Sequence, residues 1–168
     1  NFELVIYVPG NHEWYHNSYE EFDAQLRDKL DILPNVKYLV NDLVSIGDIT
    51  FIGTPLWTNF RGNDRYAEEV KGLISDFRWY TPQECKKRGE FAQMWLKDTY
   101  ENTPGTKVIV THWLPAVECI SPKFAMEVTL NRYFANDMGE WIKELSDVPY
   151  WFFGHTHDSV DVTLGETR

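Results

Sequence analysis

The sequence predicts an α/β fold in layers, with a mixed β-sheet or two packed sheets flanked by helices. Three observations carry that expectation. Short apolar, β-branched runs recur along the chain, segments with helical apolar spacing lie between them, and one hairpin signal joins two of the runs. The 168 residues suffice for one domain with a sizeable core. No repeat, low-complexity tract or Pro/Gly/Ser linker divides them, so a single domain over 1–168 is expected.

Residues 2–8, "FELVIYV", read as a buried strand stopped by Pro9-Gly10. Ser18-Tyr19-Glu20-Glu21 has the form of a capping box, with Ser at the N-cap and Glu three residues on. It opens a helix on which Phe22, Leu26, Leu30 and Leu33 recur at helical spacing, and Pro34-Asn35 ends it. Strand runs follow at 36–40, 43–46 and 49–53, the last two joined by the turn signal Gly47-Asp48. Residues 60–104 read as mostly helical, with a helix start at Thr81-Pro82. "KVIVT" (107–111) and "VPYWFF" (148–153) are further buried strands. Between them, 136–146 forms a short amphipathic helix presenting Met138, Trp141, Ile142 and Leu145. The aromatic groups Trp57/Phe60, Phe77/Trp79/Tyr80 and Tyr150–Phe153 are expected in the core.

Residue 1 is Asn and the first strand run begins beside it. At the other end 160–164 alternates like a strand and then stops at 165–168. Both ends read as cuts inside a fold, and the chain is expected to be the C-terminal part of a larger domain.

Composition narrows the function. A net charge of −10 argues against a broad nucleic-acid face, which needs clustered Lys and Arg. It leaves open phosphate chemistry in a metal site, where cations supply the positive charge. Cys85 and Cys119 form no CxxC pair and read as two reduced thiols of a cytoplasmic protein. No apolar run reaches the roughly 20 residues of a membrane span.

Four of the five histidines fall just past a strand run. His12 follows 2–8, His112 follows 107–111, and His155 and His157 follow 148–153. In open α/β sheets ligands bind where the loops at the carboxyl strand ends converge. One histidine after a strand is ordinarily a solvated loop residue, and Asn11 alone reads as a turn residue. Three strand ends carrying histidine, two of them after glycine, point to one site. Imidazole and amide or carboxylate oxygen suit Mn, Fe, Ni and Zn. If 154–157 is extended, His155 and His157 share a face roughly 6–7 Å apart. Each could then reach one of two ions about 3.5–4 Å apart. Gly10 and Gly154 would let the backbone pass close to the ions. His16 lies on no strand end and is expected at the surface.

"GNHE" at 10–13, the strand-ending His112 in "VTHW", and "GHTH" at 154–157 resemble the last three motifs of the calcineurin-like metallophosphoesterases. "GTPLWTNF" (53–60) and residues 154–168 are similar to a bacterial and phage branch of predicted phosphohydrolases. The resemblance implies a sandwich of mixed β-sheets flanked by helices and a phosphoester hydrolase with a dinuclear metal site. It implies that Asn11, His112 and His155 bind one divalent ion and His157 the other. His12 would contact phosphate and protonate the leaving oxygen, and Glu13 would orient His12. The resemblance also has gaps, because the Asp-x-His and the Gly-Asp of the family's first two motifs are absent. Gly47-Asp48 is the lone Gly-Asp and reads as a hairpin turn. A chain without those motifs is expected to hold at most one ion tightly and to turn over weakly.

The implied substrate is a small phosphomonoester or phosphodiester, with no role for duplex nucleic acid or membrane. The alternatives are a nuclease of the same family, or a scaffold on this fold that has lost catalysis. Arg61, Arg65 and Arg132 could meet a phosphate, although solvated surface positions explain them better.

Overall fold

The structure, a computed structural model, describes residues 2–168. Strand β1 (Val5–Tyr7) leads through helix α1 (Tyr19–Asp31) to β2 (Val36–Tyr38), and the two strands pair in parallel as a small sheet. The expected buried strand over 2–8 is therefore a three-residue strand, half exposed, because it has a single pairing partner. Ser18 stands at the N-cap of α1, but no capping box forms. Its hydroxyl donates to the Glu21 carboxylate at 2.9 Å and makes no cap bond to the backbone. Leu33 falls beyond the helix, and α1 buries no residue fully.

The larger sheet has the order β3-β4-β5-β6, from β3 (Asp42–Ile46), β4 (Ile49–Thr54), β5 (Thr106–Thr111) and β6 (Tyr150–Phe152). β3 and β4 are an antiparallel hairpin turned at Gly47-Asp48, where Gly47 takes a φ of +58°. β4, β5 and β6 are parallel, so their C-terminal ends lie on one side of the sheet. The crossover from β4 to β5 carries α2 (Asp64–Val70) and α3 (Pro82–Asn102). α3 starts at a full capping box between Thr81 and Glu84, with Pro82 in the first turn. α4 (Asn131–Phe134) and α5 (Gly139–Lys143) separate β5 from β6. The helix expected over 136–146 shortens to five residues, yet Met138, Ile142 and Leu145 are buried as expected.

Leu43, Ile52, Ile109 and Trp151 are register partners across the four strands. Ile52, Ile109 and Trp151 are buried against Ala92 and Leu96 of α3 and Ile142 of α5. The neighbours of Trp151, Tyr150 and Phe152, are 47% and 58% exposed. They were expected in the core, but side chains alternate along a strand and theirs face the other side. The strand expected at 160–164 does not form. The chain reverses at Gly165, φ +62°, and brings Arg168 beside β6, where its carbonyl accepts from the Trp151 amide at 2.9 Å. No helix among the described residues is long and apolar enough to cross a membrane.

A second core is aromatic and lies past the C-terminal strand ends. Trp14, Trp57, Phe60, Tyr80, Trp113 and Tyr133 are buried together, with Trp57 just after β4 and Trp113 just after β5. Phe77 packs on this cluster, while Trp79 stays 39% exposed and meets the tilted ring of His16, which is at the surface as expected. α3 closes on the 57–59 loop through Gly89. A Cβ there would stand 2.4 Å from the Trp57 carbonyl oxygen. Gly89→Ala is expected to lower stability by about 1–3 kcal/mol despite the better helix propensity of Ala, because the helix must back away. Urea unfolding checks this; an unchanged or raised midpoint refutes the contact.

Candidate metal centre

After β1, Pro9-Gly10 leads into a 3-10 turn over Asn11–Trp14. Trp14 anchors the turn in the aromatic core, and Asn11 is buried while His12 is exposed. Glu13 closes the turn. One of its carboxylate oxygens accepts from the Gly10 amide at 3.0 Å and the other from the Tyr7 hydroxyl at 2.7 Å. The resemblance implied that Glu13 orients His12; in the structure both oxygens are used to hold the turn. Burial of the Tyr7 hydroxyl and its bond to Glu13 push that phenol above its ordinary pKa.

His112 follows β5 directly. Its ring lies against Gly10 so closely that a Cβ at residue 10 would be 2.5 Å from the His112 Cε1 atom. Glycine is thus required at 10 for the histidine ring. At Gly154 a Cβ would come only to an ordinary 3.5 Å from His112 Nδ1. The Gly154 amide donates to the His112 carbonyl at 3.1 Å and ties the ends of β5 and β6 together.

Residues 154–157 are not extended. His155 and His157 both have left-handed backbones, at φ +63° and +53°, and the Thr156 amide folds back to the Gly154 carbonyl at 2.7 Å. The two histidines consequently do not share one strand face. His155 turns inward and is buried, while His157 is exposed. Left-handed conformations cost L-residues about 1–2 kcal/mol each and persist where the surroundings over-determine them. Here Trp113, Tyr133 and Phe134 enclose the His155 ring, with centroids 4.7, 5.5 and 4.6 Å away.

Three atoms converge in the interior. His112 Nε2 is 2.8 Å from Asn11 Oδ1 and 3.1 Å from His155 Nδ1. Burial holds both imidazoles neutral: it pushes His112 down to about 4 and His155 well below its ordinary value. Asp76 decides which way the Asn11 amide faces. The Asn11 nitrogen donates to the Asp76 carboxylate at 2.6 Å, which leaves its oxygen toward the histidines. The same carboxylate accepts from the hydroxyls of Tyr15 (2.5 Å), Tyr80 (2.8 Å) and Tyr133 (2.6 Å). Burial pushes the Asp76 carboxyl up, but the bonds from Tyr133, Tyr15, Asn11 and Tyr80 outweigh it and hold the pKa below the carboxylate norm.

This donor set fits a divalent transition metal. Two neutral imidazoles and an amide oxygen aimed at one locus are borderline donors. Among the described residues no three His, Cys, Asp or Glu side chains gather to hold an ion by themselves. The chain thus offers an incomplete set of three, one an amide. His12 and His157 line the cavity that opens beside Asn11, Asp76 and His155. The arginines are engaged elsewhere. Arg61 donates to the carbonyls of Asn131 and Ala135, and Arg65 and Arg132 pair with Glu69.

The chain belongs to the calcineurin-like phosphoesterase family, whose model matches residues 2–159. Two sheets flanked by helices agree with that fold. Members of the family are in general metal-dependent hydrolases of phosphoesters. A mimivirus protein (Acanthamoeba polyphaga mimivirus), described as uncharacterized, is 24% identical over 179 residues. The match covers 93% of this chain and 62% of the relative, so the chain spans less than two thirds of that protein's length. No solved structure matches.

Asp76 and its tyrosines escaped the sequence reading. The one local signal is an acid inside the apolar and aromatic run 73–80. Asp76→Asn is expected to weaken Mn²⁺ binding by about 10–100-fold, as for residues that orient metal ligands. Titration calorimetry on the folded variant measures it, and unchanged affinity refutes the orienting role. In chelator-treated protein, stability should fall as pH drops from about 6.5 to about 4. In that window the unfolded chain takes up a proton at His112 that the native state refuses, so acidification favours unfolding by up to about 1.4 kcal/mol per pH unit. Denaturant midpoints across that range check it, and His112→Asn should flatten the slope.

Proposed function

We propose that the protein is a metal-dependent hydrolase of small phosphoesters, with Asn11, His112 and His155 holding a divalent ion. The observation that carries this is the convergence of Asn11 Oδ1, His112 Nε2 and His155 Nδ1, beside a cavity lined by His12 and His157. A divalent ion there supplies Lewis acidity toward a phosphoryl oxygen and a nucleophile at neutral pH. The chain's own residues do the rest. Asp76 keeps the Asn11 oxygen turned inward. Tyr133 and Phe134 shield His155 from water. His12, exposed in the cavity wall, donates a proton to the departing alkoxide oxygen, leaving a neutral alcohol. His157 is the ligand that this reading assigns to a second ion. One imidazole does not hold an ion tightly, so one tight ion per chain is expected. The buried free thiols Cys85 and Cys119 support a cytoplasmic setting.

The test is turnover of an aryl phosphate and a bis-aryl phosphate with Mn²⁺, with metal content measured in parallel. His12→Ala should reduce kcat by about 10²–10⁴-fold while bound metal is unchanged, and His155→Ala should lose the tight ion. Bound metal with no turnover, and no effect of His12→Ala, would instead indicate a scaffold.

A further inference from the structure

Two cavities meet at the candidate centre and differ in character. One, of about 300 Å³, is lined by the polar Asn11, His12, Ser75, Asp76 and Tyr133 together with Leu73 and Ile74. The other, of about 190 Å³, is walled by Leu114, Ile120, Phe124, Leu130 and Phe134. Leu130, Phe134, His155 and His157 line both, so the two are compartments of one site divided at the histidines. We infer that the second compartment receives the alcohol portion of the substrate, and that this portion is an apolar group the size of one aromatic ring. The inference rests on the hydrolase reading, which puts the phosphoryl group in the polar compartment.

Size, polarity and charge each support it. A dry apolar cavity of roughly 150 Å³ accepts benzene, so about 190 Å³ holds a single ring or a short alkyl chain. The wall offers little to a polyol. The Asn131 side-chain nitrogen donates to the Phe124 carbonyl at 2.8 Å, and the remaining polar groups are the Asn131 oxygen and those of Thr156, Glu127 and the two histidines. Sugar or glycerol hydroxyls would lose hydrogen bonds to water that the wall does not replace. The wall's one carboxylate is Glu127, which opposes a second phosphate or a carboxylate on the leaving group.

Benzyl, methyl and glycerol phosphates test this, because their alcohols have similar leaving ability. Benzyl phosphate should exceed the other two in kcat/KM by at least roughly tenfold. Benzylphosphonate, which is not hydrolysed, should bind more tightly than methylphosphonate by a similar factor in calorimetry. Ile120→Asp, or Phe124→Ser should the first variant not fold, is expected to collapse the benzyl-to-methyl ratio toward one. Equal handling of benzyl and methyl esters, or a preference for glycerol phosphate, overturns the inference and leaves the hydrolase reading standing. If no ester turns over, the phosphonates decide: tighter benzyl binding sustains the apolar compartment without catalysis, and equal or undetectable binding overturns it.

Discussion

Asp76 accepts hydrogen bonds from the Asn11 amide and from the hydroxyls of Tyr15, Tyr80 and Tyr133. A buried carboxylate without such donors would cost several kcal/mol or take up a proton. No cation pairs with it among the described residues, so four neutral donors must be brought to one point. That requirement draws together the turn after β1, the loop before α3, and α4. The geometry of the centre follows from it, because an acceptor-only carboxylate leaves the Asn11 oxygen one direction to face. His112 then sits against that oxygen, and Gly10 alone leaves room for its ring.

The parallel strands supply the other half of the constraint. β5 and β6 end side by side, and the Gly154–His112 backbone bond joins their continuations. The aromatic core then closes over the rings. Trp113 follows His112 in sequence and packs on His155, so the residue that leaves the strand also builds the enclosure. The same enclosure holds both imidazoles neutral, the state in which they can bind metal. It also sustains the left-handed backbones of His155 and His157, which isolated residues would avoid.

Strand runs, the hairpin and the start of α3 were legible because each is written in a few adjacent residues. Gly47-Asp48 turned where its dipeptide said, and Thr81-Pro82 opened α3. Extents were less legible. The 2–8 run shortened because pairing partners limit a strand, and 160–164 gave way to a turn at Gly165. Ser18 resisted for a local reason, since its hydroxyl found the Glu21 carboxylate before the backbone. At the site, the proximity of Asn11, His112 and His155 was legible from their common place after strands. The division between a buried His155 and an exposed His157 was not, because period-two reasoning assumes an extended chain.

The sequence by itself determined which residue types end the strands, and with them the class of chemistry. Amide, imidazole and glycine at those places are local facts of composition and order. Only the tertiary structure decided how the donors face one another, that Asp76 turns the Asn11 amide, and that a polar and an apolar compartment meet at His155 and His157. Asp76 lies 65 residues from Asn11, and Phe124 lies 31 residues before His155, with which it lines the apolar compartment. Hydrogen bonds and cavities over such separations depend on where the sheet carries each segment, and no spacing rule along the chain encodes that.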